Sequence, residues 1–224
     1  MRPEFISKVE MDFFNGTDKH FFHVCTDGSA LAWLFKDEND YIKGTNCIAI
    51  CTLTTGAIVV SYVLMDNHVH FVLYGTLKEC CEFRDRFAHK YSLWYYNRYS
   101  CRRSEPIDFD IKLMEDEKYI LNSIAYVLRN GIAAGYIYRA EDYPWSSAGL
   151  YFRRPEIMDS VSSHWTKVSD LSYRQKREML KTNMEVPGDW KVTPEGFLWP
   201  SNYVDYQVVE KLFRTPKSFA FFMG

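Results

Sequence analysis

Residues 57 to 74 read AIVVSYVLMDNHVHFVLY, and the other predicted elements are arranged around this stretch. The segment from 57 to 65 is rich in β-branched side chains, which is typical of a strand. Asp66 and Asn67 follow with turn chemistry, and residues 68 to 74 form a second apolar run. Two such runs joined by a short polar turn predict a β-hairpin.

The elements around this hairpin alternate between strands and helices. In order, we predict a strand over 20 to 26 (HFFHVCT), a helix over 37 to 56, the hairpin, a long helix over 77 to 97, a helix over 116 to 130 and an edge strand from Tyr136 to Tyr138. Asp37 is a candidate N-cap for the first helix, and Thr76 with Glu79 forms a capping box before the second.

The order of these elements predicts the fold class. The pattern β-α-β-β-α-(α)-β is the split βαβ arrangement of the ferredoxin-like fold. We therefore predict an α+β domain with an antiparallel sheet and helices on one face. The character of the sequence changes after Arg153-Arg154-Pro155, where helical stretches alternate with loops. The domain is expected to span residues 1 to 154, followed by a helical C-terminal extension over residues 155 to 224.

Composition narrows the class of protein. The 224 residues are 47% apolar and 17% aromatic, which is ample for a hydrophobic core. No apolar run approaches the ~18 residues of a membrane helix or the length of a signal peptide, so we expect a cytoplasmic protein without a membrane partner. The six cysteines form no CxxC pair, which argues against disulfides and against a structural zinc site. The net charge of −2 neither predicts nor excludes a nucleic-acid partner.

Two histidines in the second half of the hairpin are candidate metal ligands. His68 and His70 lie two residues apart in a predicted strand, so their side chains project from the same face. Taken alone, such a pair is more often made of ordinary half-exposed strand residues. Tyr126 and Asn130 lie one turn apart on a predicted helix, away from its apolar stripe. An amide oxygen from Asn130 beside two imidazoles, with open positions for a phosphate, suits Mg²⁺ or Mn²⁺.

Three stretches resemble, in order, the signatures of the single-tyrosine HUH transposase family, which includes the REP-associated tyrosine transposases. They are YVLMDNHVHFVL at 62 to 73, AYVLRNGIAAGYI at 125 to 137 and DYPWSSAGLY at 142 to 151. The similarity spans roughly residues 18 to 152. Asp66 and Gly131 stand where the family commonly has proline. Both are backbone positions, so neither departure removes a catalytic group.

The resemblance implies a metal-dependent endonuclease and transesterase that acts on single-stranded DNA. The metal-binding histidines of the family fall on His68 and His70, its nucleophile on Tyr126, and its polar residue one turn later on Asn130. Attack by Tyr126 would release a 3′-hydroxyl and leave a 5′-phosphotyrosine, which keeps the phosphodiester energy for rejoining. The sequence does not identify the group that accepts the phenol proton. Tyr119, seven residues earlier on the same face, is the rival nucleophile.

A basic and aromatic stretch predicts where DNA is held. Residues 78 to 103 carry seven lysines or arginines against three acids, with aromatic residues between them. Basic side chains bind phosphates and aromatic rings stack on unpaired bases, although helical spacing assigns several of these rings to the core. The candidates are Arg98, Arg102, Arg103, Tyr95 and Tyr96. Single-stranded or hairpin DNA is the expected partner.

Two other functions stay open at this stage. A domesticated module would bind hairpin DNA without cutting it. A phosphodiesterase would use the same metal site with water as the nucleophile, and Tyr126 would then be dispensable. The resemblance also leaves a homodimer and a monomer open, because many relatives exchange catalytic helices between two copies whereas the repeat-associated ones can act alone.

Overall fold

A four-stranded antiparallel sheet organises the chain in the computed structural model, which describes residues 18–28, 33–100 and 107–224. Its strands are β1 (His20–Thr26), β2 (Ile58–Leu64), β3 (Val69–Gly75) and β4 (Phe109–Leu113). The helices that alternate with them are α1 (Glu38–Thr55), α2 (Leu77–Tyr99) and α3 (Glu117–Ala133). The strands lie side by side in the order β2-β3-β1-β4, so β3 separates the two strands that α1 connects. The α+β prediction is confirmed.

The edge strand beside β1 is not the predicted one. Residues 136 to 138 form no strand, and β4 pairs antiparallel with β1 before α3 begins. Its sequence, FDIKL, alternates apolar and charged residues with the period of a half-buried strand. The chain after α3 instead turns at Gly135, whose positive φ of 74° favours glycine. Tyr138 beyond it is fully exposed.

Helices cover both faces of the sheet, and the predicted one-sided arrangement is wrong. Phe71 of β3 packs against Phe83 and Phe87 of α2, with ring centroids 5.4 and 5.1 Å apart. The preceding residue, His70, points to the opposite face and meets Tyr126 of α3. Every residue of β2 and β3 is buried, which requires cover on both sides. Helix α1 packs along α2 on one face, and α3 covers the other.

The outer edge of β2 is closed by two later segments of the chain. Three main-chain hydrogen bonds do this: Leu64 N to Trp145 O (2.9 Å), Ser147 N to Tyr62 O (3.1 Å) and Asp205 N to Val59 O (2.9 Å). These bonds satisfy edge groups that would otherwise be open to another chain. The DYPWSSAGLY stretch thus supports the sheet.

Residues 155 to 224 form short helices and a two-stranded ribbon. The elements are α4 (Pro155–Ser162), β5 (Thr166–Lys167), α5 (Tyr173–Leu180), β6 (Lys191–Val192), α6 (Tyr206–Phe213) and α7 (Pro216–Met223). This segment contacts the sheet layer through buried polar groups. The Asn46 amide of α1 donates to Gly196 O at 3.3 Å and accepts from Leu198 N at 2.8 Å. A domain boundary at residue 154 stays a prediction. Among the described residues, no helix is both long and apolar enough to cross a membrane.

Candidate functional site

Helix α3 presents Tyr126 and Asn130 to the sheet. Asp116 caps the helix, because its side chain accepts from Tyr119 N at 2.7 Å. A buried stripe then fixes the rotation of the helix against the sheet: Ile120, Ile124, Val127 and Leu128. Tyr126 lies beside this stripe with 55% of its surface exposed, so its phenol is accessible from solvent.

The β2–β3 turn positions His68 immediately before β3. Met65 N donates to His68 O at 2.8 Å and closes the hairpin. Gly28 lies against the imidazole, since a Cβ at that position would be 3.0 Å from His68 Nδ1. The rings of His68 and His70 lie 5.0 Å apart. The strand prediction that placed both side chains on one face agrees with this geometry.

Hydrogen bonds of two asparagines, Asn67 and Asn130, set which of their side-chain atoms face His68. The Asn67 amide donates through Nδ2 to Gly28 O at 2.7 Å, so its Oδ1 faces His68 Nδ1 at 2.8 Å as an acceptor. His68 Nδ1 therefore carries the ring proton, and Nε2 carries the lone pair. The Asn130 amide donates through Nδ2 to Tyr126 O at 2.8 Å, which turns its Oδ1 toward His68.

Two acceptor atoms consequently face each other. His68 Nε2 and Asn130 Oδ1 are 3.3 Å apart, and in the tautomer that Asn67 selects neither atom carries a proton for the other. This contact is favourable only with positive charge between the atoms, from an extra proton or from a metal ion. An imidazole nitrogen and an amide oxygen oriented in this way fit the donor set that a divalent cation takes in proteins. His68, His70 and Asn130 are thus brought together, and their role as ligands stays a prediction.

His70 is the buried member of the site. It is 5% exposed, and its Nδ1 lies 3.1 Å from Nε2 of His23 on β1. Burial, with contributions from His23 and His68, lowers the pKa of His70 to about 3. Burial and Lys112 also lower the pKa of His23. Both rings are therefore neutral near physiological pH, which is the form that binds metals.

The buried state of His70 predicts a loss of stability in mild acid. Its pKa of about 3 in the folded protein lies below the ~6.5 of an exposed histidine. Below about pH 6.5 the unfolded chain therefore binds a proton that the folded chain does not, and this costs about 1.4 kcal/mol of unfolding free energy per pH unit until about pH 3. Denaturant unfolding with chelator present should show a shallower pH dependence for His70→Asn than for wild type.

The exposed His89 on α2 provides the control for this measurement. A His89→Asn variant should lose as much stability as the wild type between about pH 6.5 and about pH 5.5. Equal pH dependence of wild type and His70→Asn would show that burial of His70 does not oppose its protonation.

Tyr126 is the tyrosine next to the histidines. Its ring lies 5.3 Å from that of His70 and 6.2 Å from that of His23, edge-on in both cases. The rival Tyr119 lies seven residues earlier on α3, about 10 Å along the helix axis. Of the two candidates, Tyr126 is the one whose ring contacts the histidines, and its role as the nucleophile stays a prediction.

Sequence reasoning missed a second cluster around His70. The donor atoms of His23, Cys25 and His70 all lie within 4.8 Å of one another, so this set could hold a metal ion. Antiparallel pairing of β1 with β3 places Cys25 opposite His70 and His23 on the same face. The alternation His23-Val24-Cys25 was the available signal, but it gained meaning only from the strand register.

Asp66 in the β2–β3 turn forms hydrogen bonds with several neighbouring segments. It occupies one of the two positions where the transposase family commonly has proline. Its carboxylate accepts from the hydroxyls of Tyr41 on α1 (2.8 Å) and Tyr136 beyond α3 (2.6 Å). Its main-chain carbonyl accepts from the amides of Leu34 and Phe35. The hydrogen bond to Asp66 raises the pKa of Tyr136 to about 12. Asp66 thus connects the turn before His68 to the segment that follows Asn130.

The predicted DNA-binding residues differ in their availability. Arg98 pairs with Asp37 (Nη2–Oδ2, 2.5 Å) and with the fully buried Asp40 (Nη1–Oδ1, 2.8 Å), so its charge is already matched within the protein. Tyr95 is only 7% exposed, with the Lys36 ammonium 4.7 Å from its ring centre. Arg98 and Tyr95 are thus engaged within the protein, and a role of either residue in DNA binding stays a prediction.

The other three candidates for DNA binding are Tyr96, Arg102 and Arg103. Tyr96 is 49% exposed and available for stacking. Arg102 and Arg103 lie outside the described residues. A role of Tyr96, Arg102 and Arg103 in DNA binding stays a prediction.

Comparison with known proteins finds similarity among solved structures. The sequence matches no protein-family model and no curated protein. The structure is similar to that of a REP-associated tyrosine transposase bound to a REP hairpin, with 12% sequence identity and a TM-score of 0.42. The similarity covers 79% of this chain and 93% of that chain.

Proposed function

We propose that this protein cleaves and rejoins single-stranded DNA, with a divalent metal held by His68, His70 and Asn130 and with Tyr126 as the nucleophile. The observation that carries the proposal is the contact between His68 Nε2 and Asn130 Oδ1, two acceptors 3.3 Å apart, one turn of helix from Tyr126. Local hydrogen bonds hold both atoms in place before any ligand is present.

The residues on the two elements have separate parts in this chemistry. The hairpin supplies the imidazoles of His68 and His70, and α3 supplies the Asn130 amide. A bound Mg²⁺ or Mn²⁺ would polarise the scissile phosphate and stabilise the negative charge that develops on it. Because Tyr126 and Asn130 lie on the same helix, their spacing is fixed by its geometry rather than by a mobile loop.

Bonds are made and broken at the phosphorus that Tyr126 attacks. The hydroxyl oxygen of Tyr126 forms a bond to phosphorus and gives up its proton to solvent, while the bond from phosphorus to the 3′-oxygen breaks and that oxygen takes up a proton to leave as the 3′-hydroxyl. The product is a 5′-phosphotyrosine on the protein. Attack by a new 3′-hydroxyl reverses the step and rejoins DNA, so no nucleotide cofactor is needed.

The proposed function also includes a ferredoxin-like core and a hairpin-bearing DNA substrate. The strand order β2-β3-β1-β4 with two βαβ crossovers supports a ferredoxin-like split βαβ core over the first 154 residues. Hairpin-bearing single-stranded DNA is the substrate class that the three sequence signatures favour. Tyr96, Arg102 and Arg103 are proposed to contact this DNA.

An assay with labelled oligonucleotides tests the proposal. The protein is incubated with hairpin-bearing single strands of varied flanking sequence, with Mn²⁺, Mg²⁺ or EDTA, and resolved on a denaturing gel. We expect a cleaved strand and a band in which DNA is covalently bound to protein, both dependent on the metal. Cleavage without an adduct would support the phosphodiesterase, and binding without cleavage across all sequences would support the binding module.

A further inference from the structure

We propose that His23, Cys25 and His70 form a second metal site, selective for thiophilic ions such as Zn²⁺, and that an ion there excludes the catalytic ion by taking His70. The first statement concerns binding only. The second deepens the proposed function and rests on it, because it assigns His70 to both sets of ligands.

The second site is built by strand pairing. Cys25 and His70 are register partners in adjacent strands, and His23 lies two residues from Cys25 on the same face. His23 Nε2 is 3.1 Å from His70 Nδ1, and all three donor atoms lie within 4.8 Å of one another. Side chains on paired strands are held by the main-chain ladder, so the donors are already close before an ion arrives.

The chemistry of the donors selects the ion. One sulfur and two imidazole nitrogens are the ligands that Zn²⁺ prefers, and three protein ligands with one open position are common at zinc sites. Mg²⁺ and Mn²⁺ prefer oxygen and have little affinity for a thiol. On binding, the Cys25 thiol loses its proton to solvent, a sulfur–zinc bond forms, and the hydrogen bond between His23 and His70 breaks.

Occupation of the two sites is mutually exclusive because a neutral imidazole has one lone pair. His70 directs Nδ1 toward His23. When Nδ1 binds an ion in the second site, the ring proton resides on Nε2, and His70 has no further lone pair to give to the set with His68 and Asn130. Zinc is therefore expected to inhibit cleavage supported by Mn²⁺.

Cobalt binding tests the site without reference to activity. Chelator-treated full-length protein is titrated with Co²⁺, whose bond to a thiolate gives a charge-transfer absorption in the near ultraviolet. Wild type and Cys81→Ser should show this band, because Cys81 is a partly buried free thiol outside the cluster. Cys25→Ser should lack the band, and added Zn²⁺ should abolish it in wild type. Absence of the band in wild type, or its persistence in Cys25→Ser, would overturn the site.

Inhibition by zinc tests the exclusion. In the oligonucleotide assay with Mn²⁺, Cys25→Ser should need about tenfold more Zn²⁺ than wild type or Cys81→Ser for half inhibition, since one ligand is lost. Equal inhibition of Cys25→Ser and wild type would refute exclusion through His70. If neither protein cleaves DNA, the proposed nuclease function fails, whereas the cobalt result still decides the metal site. Thermal melting of each variant confirms that it is folded.

Discussion

Tyr126→Phe is expected to abolish the covalent protein–DNA adduct and to reduce cleavage by at least about a thousandfold, because the nucleophilic oxygen is removed. The phenylalanine ring keeps the edge-on contacts with His70 and His23. With 55% of the residue exposed, the free energy of unfolding should change by less than about 0.5 kcal/mol. Loss of the adduct would then reflect chemistry and not folding.

Tyr119→Phe is the matched control, since Tyr119 lies on the same helix and is also exposed. This variant should form the adduct at the wild-type rate. An adduct in Tyr126→Phe, or its loss in Tyr119→Phe, would assign the nucleophile elsewhere. Cleavage by Tyr126→Phe at the wild-type rate without an adduct would favour attack by water.

Asn130→Ala is expected to remove most of the stabilisation that Mn²⁺ gives the protein while leaving the metal-free protein as stable as wild type. The His68–Asn130 contact joins two acceptors and contributes nothing favourable without a cation, so its loss costs little. At a metal concentration about 100-fold above the dissociation constant, binding should stabilise wild type by about 2.7 kcal/mol. For a chain of this length that corresponds to several degrees in Tm.

Thermal melting with EDTA and with Mn²⁺ measures this difference directly. His68→Ala should likewise lose most of the Mn²⁺ shift, although its metal-free form also loses the hydrogen bond to Asn67. Asn122→Ala, on an exposed position of α3, and His89→Ala, on an exposed position of α2, should keep the full shift. A full Mn²⁺ shift in Asn130→Ala would remove the amide from the ligand set, and a strongly destabilised metal-free Asn130→Ala would show that the contact is an ordinary hydrogen bond to a protonated His68.

The features that sequence predicted well are local. The capping box of α2 forms as expected, because Thr76 and Glu79 lie within one helical turn. The spacing of Tyr126 and Asn130 follows from helical periodicity, and that of His68 and His70 from strand alternation. Each of these predictions depends only on neighbours along the chain.

The features that the sequence did not predict depend on pairing between segments that are distant along the chain. His23 and Cys25 approach His70 only because β1 lies beside β3 in a particular register. Arg98 forms ion pairs with Asp37 and Asp40, about 60 residues earlier, and these pairs could not be seen from the composition of its own segment. The composition of a segment gives the number of charged residues, but it does not show which of them form ion pairs in the folded protein.

The sequence also did not show that helices cover both faces of the sheet. Every residue of β3 is buried, so other elements pack on both of its faces. From the sequence alone, however, a short apolar run does not show whether one face or both faces of a strand are buried. The outer strand β4 has five residues, two of them charged, and gives a weak signal compared with the tyrosine-rich segment after α3. Placement of α3 against His70 could therefore come only from the structure.

Mass spectrometry of the adduct identifies the residue to which the DNA is bound. Trypsin releases residues 119 to 129 as one peptide, YILNSIAYVLR, which contains both candidate tyrosines. After nuclease trimming of the bound DNA, fragmentation of this peptide should locate a nucleotide phosphate on Tyr126. A phosphate on Tyr119, or a nucleotide recovered only on another peptide, would show that Tyr126 is not the nucleophile.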